Sequence, residues 1–523
     1  MKKCVHNHTK NRLTKVWRLL TCSECRQNRR ADAEINTVIK AFRNSPLPPQ
    51  GLEHTLKTVQ NAQGGMPFSV ELVRKRNRLL SPAYMRVYRV IGCGLIVTGG
   101  LAFREMNTNP TVNIPTPTMP APNAYTYYYE AGVSSEALKK ESREASEMDA
   151  DLHNEKVHLP KYSPQQRAEL LAKFTPALTR LRDGFQYDYM NPPVRSITQQ
   201  MPHLATFRNL ARIMALESDV YTDQADWEGA INSHLDTLYL GRECPKGGSL
   251  IAGLVGSAIQ AIGRAHTQPI IENLSGEEAQ KTAKRMERIL AEETSYAQIL
   301  REESWAMQAS ILELFQTPNW RVSFVNMMGS GENTANDSWT NRLIPLGLLF
   351  VNKRASMQNI RSYMDALIAQ AELPYQKNKV APPVPNDIFC RIMLPVFDQA
   401  GFVFTKNQTE NRLMLTALAL QAYRAERKAY PASLQELVKR NYLAELPKDP
   451  FALAQPLHYV KSGANYLLYS VGPDGVDDNG KPGENPNMTP SEKNKPHDAS
   501  WQQKLHQIVT NSKGDCVYQI NTR

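Results

Sequence analysis

Acidic residues are scarce at one end of this 523-residue chain. From Met1 to Arg89 there are 5, against 18 lysines and arginines, a local balance of +13. The whole chain carries 62 basic and 51 acidic residues, so the part after Arg89 holds 44 and 46 and is close to neutral. A basic arm suits nucleic acid, an anionic membrane surface or the cytoplasmic side of a membrane span. The residues after it favour the last, and no nucleic-acid partner is expected. Catalytic patterns are lacking too. Met327 to Asn333, MMGSGEN, does not have the GxSxG spacing of a nucleophile elbow, HExxH is absent, and no Walker or Rossmann glycine pattern follows a strand. With no nucleophile constellation, the chain reads as a non-enzyme and an envelope hydrolase is disfavoured. No small-x-small cleavage site stands out, and no fixed internal period names a repeat family. Of the 7 cysteines, Cys93, Cys244, Cys390 and Cys516 are scattered, and spacing alone leaves open whether Cys244, Cys390 and Cys516 form a disulfide.

Length allows two to four domains, because single cores seldom exceed ~250 residues. The 41% hydrophobic content and 34 prolines suit folded modules joined by irregular linkers. Long apolar runs are few. Val90 to Phe103, VIGCGLIVTGGLAF, is uncharged, and with Tyr84 to Tyr88 it reaches the ~20 residues a bilayer crossing needs. Arg86 and Arg89 both lie at one end and can snorkel toward headgroups. Residues 86–104 are therefore expected to form one transmembrane helix, with a buried soluble helix as the alternative. The positive-inside rule then keeps residues 1–85 cytoplasmic, 61–85 being a basic juxtamembrane segment. Residues 105–160 read as a linker. Asn107 to Tyr129 is rich in Pro, Thr and Asn, as an extended spacer is, and Asp149 to His158 reads as a solvated stretch despite Asp151, His153 and His158.

The first 25 residues concentrate metal-ligand types. Cys22 and Cys25 form CSEC, the usual half of a tetrahedral zinc site, and Cys4 with His6 or His8 would complete it. The alternative is a set of reduced thiols and solvated histidines. Leu19 to Leu56 resembles the zinc-binding anti-sigma domain, with a helix ending in CxxC, an amphipathic helix, a Pro-rich break and a further helical start. In that family's HxxxCxxC motif the cysteines match Cys22 and Cys25, and Arg18 stands at the histidine position. The resemblance implies a zinc-dependent module over residues 1–60 and a sigma factor or other cytoplasmic protein as partner.

Residues 161–384 read as a helical body of antiparallel hairpins. Leu204, Phe207, Leu210, Ile213 and Leu216 recur at helical spacing, and Trp227, Ile231, Leu235 and Leu238 follow on the next helix. Ser275 and Glu278 form a capping-box pattern. Ser249 to Ile262 is apolar but short and contains Gln260, so it is expected to be a buried helix, not a span. The layout is similar in outline to tetratricopeptide-like arrays. The neighbouring acids Glu292 and Glu293, and Glu302 and Glu303, are expected on a solvated helix surface.

Residues 385–482 read as a small α+β module followed by a tail, 483–523. A helix from about Glu410 to Lys428 leads into YPASLQELVKRNYLAELPKDPF, where Ser433 and Glu436 form a second capping-box pattern, and LHYV and NYLLYS alternate as strands about Ser462 and Gly463. The helix ending in YP, the turn Leu446 to Phe451, the hairpin and the terminal YSVGPDG resemble the globular part of type II secretion major pseudopilins. In that family the terminal loop holds calcium. The resemblance therefore implies Asp474 as a ligand, with Asp477 and Asp478 where further oxygens could fold back. The alternative is a glycine-rich turn whose aspartates bond nearby backbone N–H groups. Taken together, the expectation is a mainly α, single-pass bacterial inner-membrane protein. Its N-terminus is inside, most of its mass is outside, and it acts as an anti-sigma-like regulator or, alternatively, as a non-enzymatic scaffold of the envelope.

Overall fold

The computed structural model describes residues 98, 100–101, 103–141, 162–196, 198–329, 347–377, 381–394, 397–453, 455–489 and 505–518. They form a mainly helical molecule, as the periodicity predicts. The helices are α1 (Ala124–Glu141), α2 (Pro164–Asp183), α3 (His203–Asp223), α4 (Trp227–Glu243), α5 (Leu250–Arg264), α6 (Thr267–Asn273) and α7 (Gly276–Ala291). They continue with α8 (Tyr296–Gln316), α9 (Trp320–Gly329), α10 (Lys353–Ala371), α11 (Ile388–Met393), α12 (Asp398–Arg427) and α13 (Gln435–Lys439). A three-stranded antiparallel sheet of β1 (His458–Ser462), β2 (Asn465–Ser470) and β3 (Cys516–Val517) closes the chain.

Local chemistry starts several of these helices, at Ser275 as its pattern suggests and at Ser163 and Ser295 as well. Ser163, Ser275 and Ser295 each accept from the backbone N–H three residues on, and Gln166, Glu278 and Gln298 reach back to the cap N–H. The α3–α4 hairpin buries Phe207, Leu210, Ile213 and Leu216 on one side and Ile231, Leu235 and Leu238 on the other. Helix α5 is interior, as expected of Ser249 to Ile262. Its glycines let it cross α4 closely: a Cβ on Gly241 would meet the Gly256 carbonyl oxygen at 2.8 Å, and one on Gly256 would meet the Gly241 oxygen at 2.6 Å.

Three apolar cores share helices. One joins α1, α2 and α3 to α4 and α5; a second joins α4, α6, α7 and the later part of α12 to β2; the third joins α5, α8, α9, α10, α11 and the early part of α12. The 30-residue α12, about 45 Å long, is the common spine. It begins at Asp398, well before the Glu410 start suggested by the sequence. The C-terminal piece is fused to the body through it: Phe451, Val471 and Cys516 enter the third core, and Leu443, Leu457 and Leu468 the second.

Several expectations are corrected. The stretch read as a spacer ends in helix α1, whose Ala124 and Tyr128 are fully buried, and Tyr128 meets Phe185, Tyr189 and Phe207 ring to ring. Hydropathy alone hides this, because tyrosine buries a large ring while scoring as half polar. Before α1 the chain lies along the body: Pro110 is buried and Val112 packs on the third core. Ser433 does not cap α13; Glu436 instead accepts from the Ala432 N–H and the Tyr423 hydroxyl. The tail returns to the sheet as β3. No helix among the described residues is long and apolar enough to cross a membrane. Most of the 86–104 segment lies outside the described residues, although 98, 100, 101 and 103–106 are helical.

Candidate functional site

Of the residues singled out for metal binding, Cys4, His6, His8, Cys22 and Cys25 lie outside the described residues. The other set is in view. Asp474 accepts from the Val476 N–H at 3.1 Å and the Gly514 N–H at 3.4 Å. Asp477 accepts from the Asn479 N–H at 2.9 Å and the Tyr469 hydroxyl at 3.1 Å, and its other oxygen lies 3.3 Å from His458 Nδ1. The Asp478 N–H is turned to Asp515. The first two aspartates thus each close a turn onto the backbone N–H two residues on. Among the described residues no three His, Cys, Asp or Glu side chains gather as metal ligands do.

Two acids that the motif reading passed over organise this end. Asp449, of the Leu446–Phe451 turn, is 2% exposed and accepts from the N–H groups of Phe451 and Val471 and the hydroxyl of Ser470. Asp515 accepts from the Asp478 and Gly480 N–H groups at 3.3 and 2.6 Å. Burial outweighs these bonds and pushes its carboxyl up to about 6, with Asp477 and Asp478 adding to the rise. Gly472 has a φ of +69°, and a Cβ there would stand 2.4 Å from the Gly514 oxygen, so the glycine lets the Asp449 and Asp515 turns meet.

The body contains a polar cleft where the end of α4, the middle of α5, the α7–α8 turn and α12 converge. Its interior is about 30 Å³. Gln260 Oε1 accepts from the side-chain amides of Asn407 and Asn411 at 3.0 and 2.6 Å, and Asn411 Nδ2 also reaches Glu293 at 2.9 Å. Arg264 donates to Asn407, Asn411 and Glu410 from below. Burial raises the Glu293 pKa against the pull of Asn411 and of Arg412, Arg264 and Arg242. Burial acts the same way on Glu410, but Lys406 and Arg264 win and hold it well below the ordinary carboxylate range. Arg242 stacks over Tyr239 at 4.3 Å and pairs with Glu243 and Glu292, while its Nε is buried with no partner among the described residues.

The expectation of a solvated helix surface holds for Glu292, whose side chain is 65% exposed, and is corrected for the other three acids. Glu293 faces this cleft, Glu302 pairs with Arg195 at 3.3 Å, and Glu303 accepts from the Leu250 N–H at the start of α5. Adjacent acids do point to different sides; Glu292 turns to solvent, while Glu302 and Glu303 each meet protein. Chemically the cleft offers amides, a carboxyl, a guanidinium and the hydroxyls of Ser257, Thr294 and Tyr296, with neither histidine nor cysteine in its lining. Gln260 was the visible signal, a polar residue inside an apolar helix; Asn407, Asn411 and Arg264 carried none that spacing reveals.

A second buried polar group fixes a tautomer. Asn191 Nδ2 donates to the carbonyls of Cys244 and Lys246, so its Oδ1 must accept from His203 Nε2 at 3.0 Å and from the Tyr189 hydroxyl at 2.9 Å. His203 therefore carries its proton on Nε2, and its Nδ1 faces the Tyr125 hydroxyl at 3.4 Å. Burial lowers this imidazole to about 4.

No protein family, no curated protein and no solved structure matches this chain.

Proposed function

We propose that the chain is a single-pass membrane protein whose basic N-terminal arm works in the cytoplasm as an anti-sigma-like module and whose helical body stands outside as its input. One observation carries this reading: the step in charge at Arg89, 18 basic against 5 acidic residues before it and 44 against 46 after it, set beside the uncharged Val90 to Phe103. Zinc would be held by Cys22, Cys25, Cys4 and one of His6 or His8, supplying folding energy to a segment with few core residues. Calcium at Asp474, Asp477 and Asp478 belongs to the same reading, since carboxylates and carbonyls are its natural ligands.

The experiment is capture with residues 1–85, in wild-type form and as Cys22→Ser/Cys25→Ser. Metal-dependent retention of a sigma factor or comparable regulator is the expected outcome; a folded, metal-free segment that retains nothing overturns the proposal. A second reading, a structural envelope scaffold, is favoured by the body's cleft. Its 30 Å³ has room for one or two waters, far from a small-molecule site. Under that reading the arm serves only to set topology, and the same capture yields no partner.

A further inference from the structure

One corner of the third core gathers exposed apolar side chains about a hydrogen-bonded junction. Asn107 donates to the Phe103 carbonyl at 2.7 Å and accepts from Arg321 Nη1 at 3.0 Å, and Arg321 Nε donates to the Leu348 carbonyl at 2.8 Å. This short chain of bonds links three separate stretches of sequence. Beside it stand Leu101, Phe103, Val322, Leu349 and Phe350, which are 58%, 56%, 59%, 48% and 72% exposed. Five large apolar side chains facing solvent from three segments are more than the scattered singles a surface normally shows.

The same corner is cationic. Arg321 and Lys353 form no ion pair among the described residues: Lys353 Nζ is held by Asn109 Oδ1 at 2.7 Å and the Phe315 carbonyl at 2.6 Å, close to the Phe315 and Trp320 rings. Arg321 Nη2 is buried without a partner among those residues. Arg104 and Arg354 are exposed nearby in sequence. Lys353 and Arg321 are turned inward, so the charge this surface presents is that of the exposed Arg104 and Arg354, with Glu105 the exposed acid beside Arg104. Apolar side chains flanked by arginines are the composition of a surface that enters the headgroup layer of a bilayer.

We infer that this corner, with Leu349 and Phe350 foremost, seats the body on the outer face of an anionic phospholipid bilayer. The inference rests on the single-span reading above. What selects lipid over another protein is continuity: the corner is hydrogen-bonded to Phe103, the last residue of the uncharged Val90 to Phe103 segment, so a chain leaving the bilayer there delivers the corner to its surface. Pro110, Val112, Asn109 and Pro115 then hold the following residues against the body, the Pro115 carbonyl accepting from Arg195. A free spacer would let the body stand away; a docked one keeps it close.

The test is photo-crosslinking of the full-length chain, reconstituted in phosphatidylcholine vesicles with and without phosphatidylglycerol. A benzoylphenylalanine replaces Phe350 or, as the distant comparison, Val460, which is 50% exposed on β1. Lipid adducts several-fold more abundant at 350 than at 460, and increased by phosphatidylglycerol, are expected. A reconstituted chain whose position 350 links instead to another part of the protein, to a second copy, or to nothing overturns the inference and leaves the span standing. A chain that stays out of the vesicles overturns both. Position 350 is a surface site, so folding of the substituted chain is not at stake.

Discussion

Two buried polar clusters in this protein follow opposite rules. Between α2, α3, α4 and α7, Arg182 donates to Glu217 and Asp236, Arg285 to Asp236 and Asn232, and Ser233 to Glu217. Charges there are matched two against two. At the corner near α9 and α10, the partners of Arg321 and Lys353 among the described residues are amide and carbonyl oxygens. The difference shows as a direction of pKa. Burial opposes the charge of Arg182, yet Glu217 and Asp236 carry its pKa upward, whereas Lys353 is lowered by burial and by its neighbour Arg321. A matched ladder fixes how four helices sit together. An unmatched pair of cations marks a place where the protein tolerates a cost that packing alone does not require.

The comparison breaks most sharply under mutation. Glu217→Ala strips an acceptor from Arg182 and Ser233 and leaves a cation between helices; with Arg182 itself 35% exposed, the loss should be about 3 kcal/mol, measured by urea unfolding. A loss below about 1 kcal/mol would mean that the ladder is solvated.

Acid should be the next largest effect. His203 has a folded pKa of about 4, below the ordinary value of 6.5, so the unfolded chain binds the proton first. Stability is then full above pH 6.5 and falls as pH drops toward 4, by about 2–3 kcal/mol from this group. Asp515 works in the other direction, because its folded pKa near 6 lies above the ordinary 3.8. The folded state holds that proton longer, so this group favours folding at low pH and the contribution is lost as pH rises from about 4 to 6. His203→Gln should flatten the first slope and Asp515→Asn the second, read from unfolding midpoints between pH 4 and 8.

Lys353→Met should cost no more than about 1 kcal/mol, since no carboxylate is stranded and the Phe315 carbonyl loses one bond. A loss as large as that of Glu217→Ala would show that Lys353 has an anionic partner. The smallest effect is expected from Asn107→Ala: a few tenths of a kcal/mol in global stability, with faster proteolysis near residue 107 as the measurable sign that the strap has loosened.

The body's secondary structure was legible because its signals are local. The Ser275 cap, the apolar rows of α3 and α4, and the Ser462–Gly463 turn each act within a few residues, and the described structure has them in place. The candidate site was not legible in the same way. Gln260, Glu293, Asn407 and Asn411 come from three segments up to 151 residues apart, and each reads alone as an ordinary polar side chain. Tyr128 and the acids Glu293, Glu302 and Glu303 looked suited to solvent because composition prices a side chain without its neighbours; a tyrosine ring or a hydrogen-bonded carboxyl can be buried once partners are supplied. The sequence by itself determined the apolar rows of α3 and α4, the Ser275 cap and the charge step at Arg89, since those depend on spacing and count. Only the tertiary structure decided that α12 spans two cores, that the tail returns as β3, and which buried charges are matched, because each depends on contacts between residues far apart in the chain.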